Sequence, residues 1–221
     1  MVPSEAPTAD AAQLAARVLS ANEANSLTKV PPGMVRHLTV VTTTVGAATP
    51  PVVFQEWFGD EGRSVRLELP GGGTLMLADG VGWMYLPDQK LARRVRLEEK
   101  RFEALGPGRF ALTAAALANA EARIQGKSVA LGRPATVIEF AKPIDANDPP
   151  KSRGVRMRYQ LTVDDATYEI RESRAATLDA SGAVLDEVIT RVAVDELLDA
   201  ARFAPDHFRF EPAPGIVIET D

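Results

Sequence analysis

The sequence predicts an α+β protein built on one large antiparallel β-sheet, curved or closed, with two helices. About ten short segments of strand character follow one another at about ten-residue spacing, which is typical of antiparallel sheets. They do not alternate with helical segments, so βαβ units and a parallel sheet are disfavoured. Several segments alternate apolar and polar residues, as strands do when one side is buried and the other is solvated.

The first element is a helix that begins near Asp10. Asp10 is a candidate N-cap, and Gln13 follows at the spacing of a capping box. Apolar residues then recur at helical spacing, at Leu14, Val18 and Ala21. Residues 31–33, Pro-Pro-Gly, end any helix. Residues 1–9 are expected to be a flexible or trimmed segment ahead of a single domain that takes up the chain 1–221.

The strand segments are rich in β-branched and aromatic residues. They are predicted at 34–45, 51–58, 64–69, 74–78, 82–86, 91–98, 135–140, 155–163, 166–173 and 183–194, with a last short strand after His207. Asp79-Gly80 is a strong signal for a two-residue hairpin. The segment 155–163 alternates most regularly, and 166–173 is its predicted partner.

Two further helical segments are expected. Residues 110–124 are rich in alanine with a narrow apolar side, and Gly126 is the candidate C-cap. A short helical turn is predicted from Glu196 to Ala201. The loop 145–153 is polar and broken by prolines, so it is expected to be mobile.

Composition excludes several classes of protein. The chain has 221 residues, of which 45% are hydrophobic, and no cysteine, so disulfides and thiol chemistry are excluded. Lys plus Arg number 25 and Asp plus Glu number 30, a net charge of −5 that disfavours a nucleic-acid partner. No run of 18 apolar residues indicates a membrane span.

Catalytic and metal-binding motifs are missing from the sequence. The two histidines, His37 and His207, lie far apart on strand-like segments, without HExxH or HxH spacing. No GxSxG nucleophile motif occurs. The glycines of residues 71–73 lie between two strands, where a turn is favoured over a phosphate site. Neither an enzyme nor a cofactor or metal is therefore expected.

One stretch resembles a known family. Between residues 56 and 95 a strand is followed by an apolar strand, by Asp79-Gly80 and by Trp83-x-Tyr85-x-Pro87-Asp88. The C-terminal stretch has the pattern F-x-F-x-P-x-P-G, beginning at Phe208. In order and spacing these motifs resemble the LolA/LolB/RseB superfamily of periplasmic lipoprotein carriers and lipid-binding regulators.

The resemblance implies a strongly curved antiparallel half-barrel, covered by a few α-helices, with an apolar cavity between sheet and helices. Each residue expected to line the cavity could instead be an ordinary residue of the packed core. The candidate lining residues are Val65, Leu67, Leu69, Leu75, Leu77, Trp83 and Tyr85 from the sheet, with Leu112 and Leu117 from the helix 110–124.

Two functions are consistent with this fold. The first is an extracytoplasmic, periplasmic carrier or chaperone that holds the acyl chain of a lipid or lipoprotein. The second is a regulatory module of the RseB type, which binds a membrane-derived signal and a membrane-bound protein partner. The arginines at positions 93, 94, 96, 156 and 158 are candidates for such a binding face, with a solvated sheet surface as the alternative. A monomer is expected in either case.

Overall fold

The computed structural model describes residues 9–23, 29–78, 80–95, 121–143 and 156–219. It contains one α-helix and twelve strands over these ranges. They are α1 (Ala9–Glu23), β1 (Met34–Thr44), β2 (Val52–Gly59), β3 (Ser64–Glu68), β4 (Thr74–Ala78), β5 (Val81–Leu86), β6 (Leu91–Val95), β7 (Glu121–Ala130), β8 (Arg133–Pro143), β9 (Arg156–Asp164), β10 (Ile170–Leu178), β11 (Val184–Asp199) and β12 (Val217–Glu219).

The strands form one sheet in the order β12-β6-β5-β4-β3-β2-β1-β11-β10-β9-β8-β7. Neighbouring strands whose register is defined pair antiparallel, except β12, which pairs parallel with β6. The predicted α+β fold with one large antiparallel sheet is therefore confirmed. The predicted pairing of the segment 155–163 with its successor is also confirmed, as β9 and β10.

The chain divides into two compact units. Unit 1 consists of residues 1–24, 42–51 and 110–191, and unit 2 of residues 25–41, 52–109 and 192–221. In unit 1, α1 packs against β7, and the core contains Ile138, Phe140, Leu161, Val163 and Ile170. In unit 2, the core contains Val35, Leu38, Val40, Phe58, Val65, Leu67 and Leu75. The single domain 1–221 stays a prediction.

The predicted helix 110–124 is wrong at its C-terminal end. Residues 121–124 belong to β7, where Ile124 lies opposite Ile138 of β8. Gly126 is not a helix C-cap but lies inside β7, at a register shift that follows Ile124, with φ of +154°. Pairing with a long neighbouring strand outweighs the helix propensity of alanine here. The rest of that helix, with Leu112 and Leu117, and the loop 145–153 lie outside the described residues.

The C-terminal region also differs from the prediction. Strand β11 continues to Asp199, so only Ala200–Arg202 is helical, as one 3-10 turn. His207 lies in a turn rather than on a strand, and the last strand is β12. Phe208 and Phe210 alternate with polar residues as in a strand, but this local pattern does not indicate where the two side chains pack.

Candidate functional site

Strands β2 to β5 of unit 2 carry a row of large side chains on one side of the sheet. Trp57 lies opposite Arg66, Arg66 opposite Met76, and Met76 opposite Trp83. Residues directly opposite one another in antiparallel strands project to the same side. We call this side, with Trp57, Arg66, Met76 and Trp83, the aromatic face. Tyr85, two residues after Trp83, projects to the same side because side chains alternate along a strand.

The other side of the same strands carries Val65, Leu67, Leu75 and Leu77, which we call the leucine face. Val65 lies opposite Leu77, and Leu67 lies opposite Leu75. Leu67 is 1% exposed, while Val65 and Leu75 are each 4% exposed. These side chains are therefore packed against other protein atoms rather than open to solvent.

The structure thus divides the predicted lining residues between two sides of the sheet. Trp83 and Tyr85 are half-buried on the aromatic face, while Val65, Leu67, Leu75 and Leu77 lie on the leucine face. Leu69 follows β3 and is half-buried. The two groups cannot line one common surface, so the predicted set separates into two candidate linings.

Residues 203–210, which we call the C-terminal segment, pack on the aromatic face. The ring of Phe210 lies 5.4 Å from that of Trp83 and 5.7 Å from that of Tyr85, centroid to centroid. Nη1 of Arg66 donates a hydrogen bond to the carbonyl oxygen of His207 at 3.1 Å. Rings of this kind contribute both buried apolar area and favourable edge and offset contacts.

A groove with a volume of about 280 Å³ lies between the C-terminal segment and strands β4 and β5. Its lining is mostly apolar, with one arginine. The lining residues are Met76, Ala78, Val81, Trp83, Phe208, Arg209 and Phe210. A mostly apolar concavity with one cationic group at its margin suits an amphipathic ligand.

Of the residues that line this groove, only Trp83 was predicted from the sequence. Phe208 and Phe210 enter the sequence pattern only as parts of the C-terminal F-x-F motif. Met76 was not predicted because its neighbours Leu75 and Leu77 were assigned to the apolar side of the strand, which places Met76 on the other side. The two-residue hairpin signal at Asp79-Gly80 could have identified Met76 as a lining residue. A two-residue turn there places Ala78 opposite Val81 and therefore Met76 opposite Trp83.

The two histidines, which are distant in sequence, flank Trp57 in the fold. The ring of His37 stacks on Trp57 at 5.0 Å, and the ring of His207 meets Trp57 edge-on at 5.6 Å. The imidazole of His37 also lies 2.8 Å from Oε1 of Glu196 and 2.7 Å from Oε1 of Gln55. Within the described ranges, no three His, Asp or Glu side chains come together as a metal site would require.

Gly59 provides the space that Phe208 occupies. A Cβ atom at Gly59 would lie only 2.7 Å and 2.8 Å from Cε2 and Cζ of Phe208. The φ of Gly59 is −125°, a value that alanine adopts without strain. The requirement for glycine at this position therefore comes from the Phe208 ring and not from the backbone.

We expect Gly59→Ala to destabilise unit 2 by about 1–3 kcal/mol, because the added methyl group overpacks the contact with Phe208. Denaturant unfolding of Gly59→Ala, Phe208→Ala and the double variant measures the coupling between the two positions. In the Phe208→Ala background, Gly59→Ala should cost almost nothing. An equal cost in both backgrounds would contradict the proposed contact.

The environment of His207 disfavours its protonated form. Burial lowers the pKa of His207 below its ordinary value of 6.5, the nearby Arg66 lowers it further, and Glu68 and Asp206 oppose these effects in part. Its Nε2 atom is buried and has no hydrogen-bond partner among the residues that the structure describes. Phe203 and Phe208 complete the surroundings with rings at 4.6 Å and 4.8 Å.

The stability that neutral His207 contributes should therefore be fully present above pH 6.5 and decline as the pH falls below that value. We expect the unfolding midpoint to drop between pH 7 and pH 5, with a smaller drop in His207→Gln. Thermal unfolding followed by tryptophan fluorescence across this range measures the effect. His37→Gln serves as the matched control, and an identical pH profile in wild type and His207→Gln would refute the assignment.

In the described part of the chain, no helix has both the length and the apolar character needed to cross a membrane. Comparison with protein-family models and with curated proteins gives no match. Comparison with solved structures, in contrast, gives many.

The fold is similar to those of an uncharacterised conserved protein and of MucB, and this agrees with the LolA/LolB/RseB-like fold that the sequence motifs indicated. An uncharacterised conserved protein of Thermus thermophilus matches with a TM-score of 0.50 and 12% identity, over 96% of this chain and 99% of that one. MucB matches with a TM-score of 0.50 and 21% identity, over 92% of this chain. A LolA superfamily protein of Nitrosomonas europaea matches with a TM-score of 0.34 and 12% identity, over 89% of this chain and 97% of its own.

The chain spans 64% of the length of MucB. At identities this low the similarity concerns the fold alone.

Proposed function

We propose that this protein is an extracytoplasmic carrier or chaperone that binds the acyl chain of a lipid or lipoprotein. The observation that carries the proposal is the groove between the C-terminal segment and strands β4 and β5, which is lined by Met76, Trp83, Phe208 and Phe210. Methionine and aromatic side chains adapt to flexible apolar ligands without requiring a fixed hydrogen-bond pattern. The fold shared with the LolA/LolB/RseB superfamily supports the same function.

The size of the groove sets how much of an acyl chain it accepts. A methylene group takes roughly the 30 Å³ that one water molecule takes in the liquid, so a groove of about 280 Å³ holds on the order of nine methylene groups. At about 0.8 kcal/mol for each fully buried methylene, burial contributes at most on the order of 7 kcal/mol before the cost of immobilising the chain, and less where the open groove leaves the chain in contact with water. A medium-chain acyl group is therefore the best-fitting ligand for this groove.

Arg209 gives the groove a polar end. It is exposed and belongs to the lining, so its guanidinium can pair with a carboxylate or phosphate attached to the acyl chain. A fatty acid should then bind more tightly than the fatty alcohol of equal length. No catalytic step and no cofactor is part of this proposal, because acyl burial and the ion pair with Arg209 supply the binding energy.

Fluorescence of Trp83 tests the proposal. The chain has two tryptophans, so Trp57→Phe leaves Trp83 as the single reporter. Titration with decanoate should change its emission in a saturable way. Ala78→Leu should weaken binding by filling the groove, whereas Ala47→Leu, an exposed turn position outside it, should not. Unchanged Trp83 emission up to the solubility limit of decanoate would exclude this groove as the acyl site.

The leucine face is the second candidate lining. Unlike the groove, this face has no open space for a ligand in the described part of the chain, because Val65, Leu67 and Leu75 are almost completely buried. Acyl binding there would require that protein atoms now packed on these side chains move away. Trp83 on the aromatic face would then stay unaffected, while Leu67→Gln would weaken acyl binding in protein that remains folded.

A regulatory module that binds a protein partner is the alternative function. Arg93 and Arg94 are exposed on β6, and Arg93 forms an ion pair with Glu219 of β12 at 2.7 Å. Native mass spectrometry on protein from its natural host separates the two functions. A co-purifying lipid supports the carrier, and a stoichiometric protein partner without lipid supports the module. In either case we expect one copy of this chain, without a second copy bound to it.

A further inference from the structure

Unit 1 contains a polar pocket that the proposed acyl groove does not involve. Its volume is about 300 Å³, and it lies between α1 and the turn that joins β9 to β10. Charged and hydroxyl-bearing side chains dominate its lining. The lining residues are Asp10, Gln13, Leu14, Arg17, Lys127, Thr136, Asp165 and Tyr168, all of which belong to unit 1.

The helix presents one of its sides to this pocket. Asp10, Gln13, Leu14 and Arg17 recur at the spacing of a single helix face. Ala11 and Val18 anchor the helix in the core, with 0% and 1% of their surface exposed. The position of Arg17 is therefore determined by a packed helix rather than by a loop.

The turn on the opposite wall is held rigidly. The Asp164 carboxylate accepts hydrogen bonds from the main-chain N–H groups of Ala166 and Thr167. Arg171, 1% exposed, forms a 2.6 Å ion pair with Glu169 immediately after the turn. Tyr168 lies between these anchors with a φ of +59°, a conformation that is costly for a residue other than glycine. The turn thus holds Tyr168 in a strained backbone conformation.

Arg17 and Tyr168 meet across the pocket. Nη1 of Arg17 donates to the Tyr168 hydroxyl at 2.6 Å, and the guanidinium carbon lies 5.3 Å from the centre of the tyrosine ring. The tyrosine oxygen acts as the acceptor, so its own proton is available for a further hydrogen bond. Arg17 keeps additional N–H donors beyond the one used here.

The acidic side chains of the pocket do not neutralise Arg17. Asp165 accepts hydrogen bonds from Thr136 and from Lys127, and these contacts hold the pKa of Asp165 below its ordinary value. Asp10 stands seven residues before Arg17, which is about 10 Å along the helix. Among the described residues, no carboxylate forms an ion pair with Arg17, whereas Asp165 compensates the charge of Lys127.

We propose that this pocket is an anion site, in which Arg17 and the Tyr168 hydroxyl bind a phosphate or carboxylate group. Lys127 adds a further N–H donor from the neighbouring wall. The shared chemistry is that of an oxyanion, whether it is a free ion or the head group of a lipid. Charge-assisted hydrogen bonds from a guanidinium and a preorganised hydroxyl are the usual means of binding such a group.

Isothermal titration calorimetry on the full chain tests the site with three probes. They are inorganic phosphate, dihexanoyl phosphatidic acid, and decanol as an uncharged apolar probe. We expect both phosphate-bearing probes to bind, and Arg17→Gln and Tyr168→Phe each to weaken them about tenfold, the scale of one lost charge-assisted hydrogen bond. Arg191→Gln, an exposed arginine of the same unit, is the matched control and should leave binding unchanged.

Tyr168→Phe separates a binding role from a purely structural one. It keeps the ring that packs beneath the guanidinium and removes only the hydroxyl, so the unfolding midpoint should change little while phosphate affinity falls. Tighter binding of dihexanoyl phosphatidic acid than of phosphate identifies a lipid head group as the source, and equal binding identifies a free ion. The proposal is overturned if neither probe binds, or if Arg17→Gln and Tyr168→Phe bind both as tightly as wild type.

The test of the anion site is independent of the test of the acyl groove. Decanol and decanoate report on the groove through Trp83 of unit 2, whereas phosphate reports on the pocket of unit 1. Phosphate binding, together with Trp83 emission that does not change in the decanoate titration, would retain the anion site and count against the proposed function. A Trp83 response to decanoate without phosphate binding would do the reverse.

Discussion

Arg171→Ala is expected to destabilise the protein by about 3–5 kcal/mol, because it removes a buried cation from the buried carboxylate of Glu169 and one of the two arginines beside that of Asp164. The Arg171 side chain is 1% exposed and lies 2.6 Å from Glu169 and 3.7 Å from Asp164. Both acids are nearly inaccessible to water, with 6% and 1% of their side chains exposed. Urea unfolding at neutral pH, followed by circular dichroism, measures the loss.

A control on the same strand isolates the effect of burial. Arg174 of β10 pairs with Glu172 at 2.9 Å, but its side chain is 43% exposed. Arg174→Ala should therefore cost about 0–1 kcal/mol, as exposed ion pairs do. Similar losses for the two variants would mean that Arg171 is not the cation on which the buried acids depend. If Arg171→Ala does not fold, Arg171→Lys should restore folding in part, because it returns a positive charge without the guanidinium geometry.

Leu67→Ala is expected to cost about 2–5 kcal/mol, the range for a leucine removed from a packed core. Leu67 is 1% exposed and lies between Glu56 and Leu75, which are themselves buried. If the leucine face instead forms the wall of an existing cavity, the loss should stay nearer the bare transfer energy of about 1–2 kcal/mol. Denaturant unfolding distinguishes the two values.

Leu69→Ala provides the comparison for Leu67. Leu69 follows the same strand and is half-buried, so its truncation should cost distinctly less. Decanoate titration of both variants by isothermal calorimetry completes the test, because Trp83 does not report on the leucine face. A small loss of stability for Leu67→Ala, together with weakened decanoate binding, would move the acyl site from the groove to the leucine face.

The regular alternation of residues 155–163 was sufficient to predict β9, because the free energy of a half-buried strand depends on the strand's own polar and apolar pattern. The segment 121–124 was misassigned for a related reason. The alanine-rich sequence before it favours a helix locally, but the strand pairing, with Ile124 opposite Ile138, comes from β8, the second strand of the same hairpin. Local propensity carries no information about such a partner.

The same limit applies to the functional residues. Alternation indicates that Leu67 and Trp83 each project from a strand, and the sequence alone therefore suggested one lining. Strand register decides which side of the sheet each side chain takes. Leu67 pairs with Leu75, whereas Trp83 pairs with Met76, the residue after Leu75, so Leu67 and Trp83 lie on opposite sides. Register depends on the hairpin connection between β4 and β5 and not on the hydrophobicity of either strand.

Composition and motif order alone determined the class of fold, the absence of cysteine chemistry and the strands with one apolar side, because these properties depend on residue type and on neighbours within a few positions. Only the tertiary structure decided that Phe208 packs on Gly59, that His37 and His207 flank Trp57, and that Arg17 meets Tyr168. Each of these contacts joins segments that are far apart in the chain. Its geometry is determined by sheet register and by the packing of α1, neither of which is a property of a local stretch of sequence.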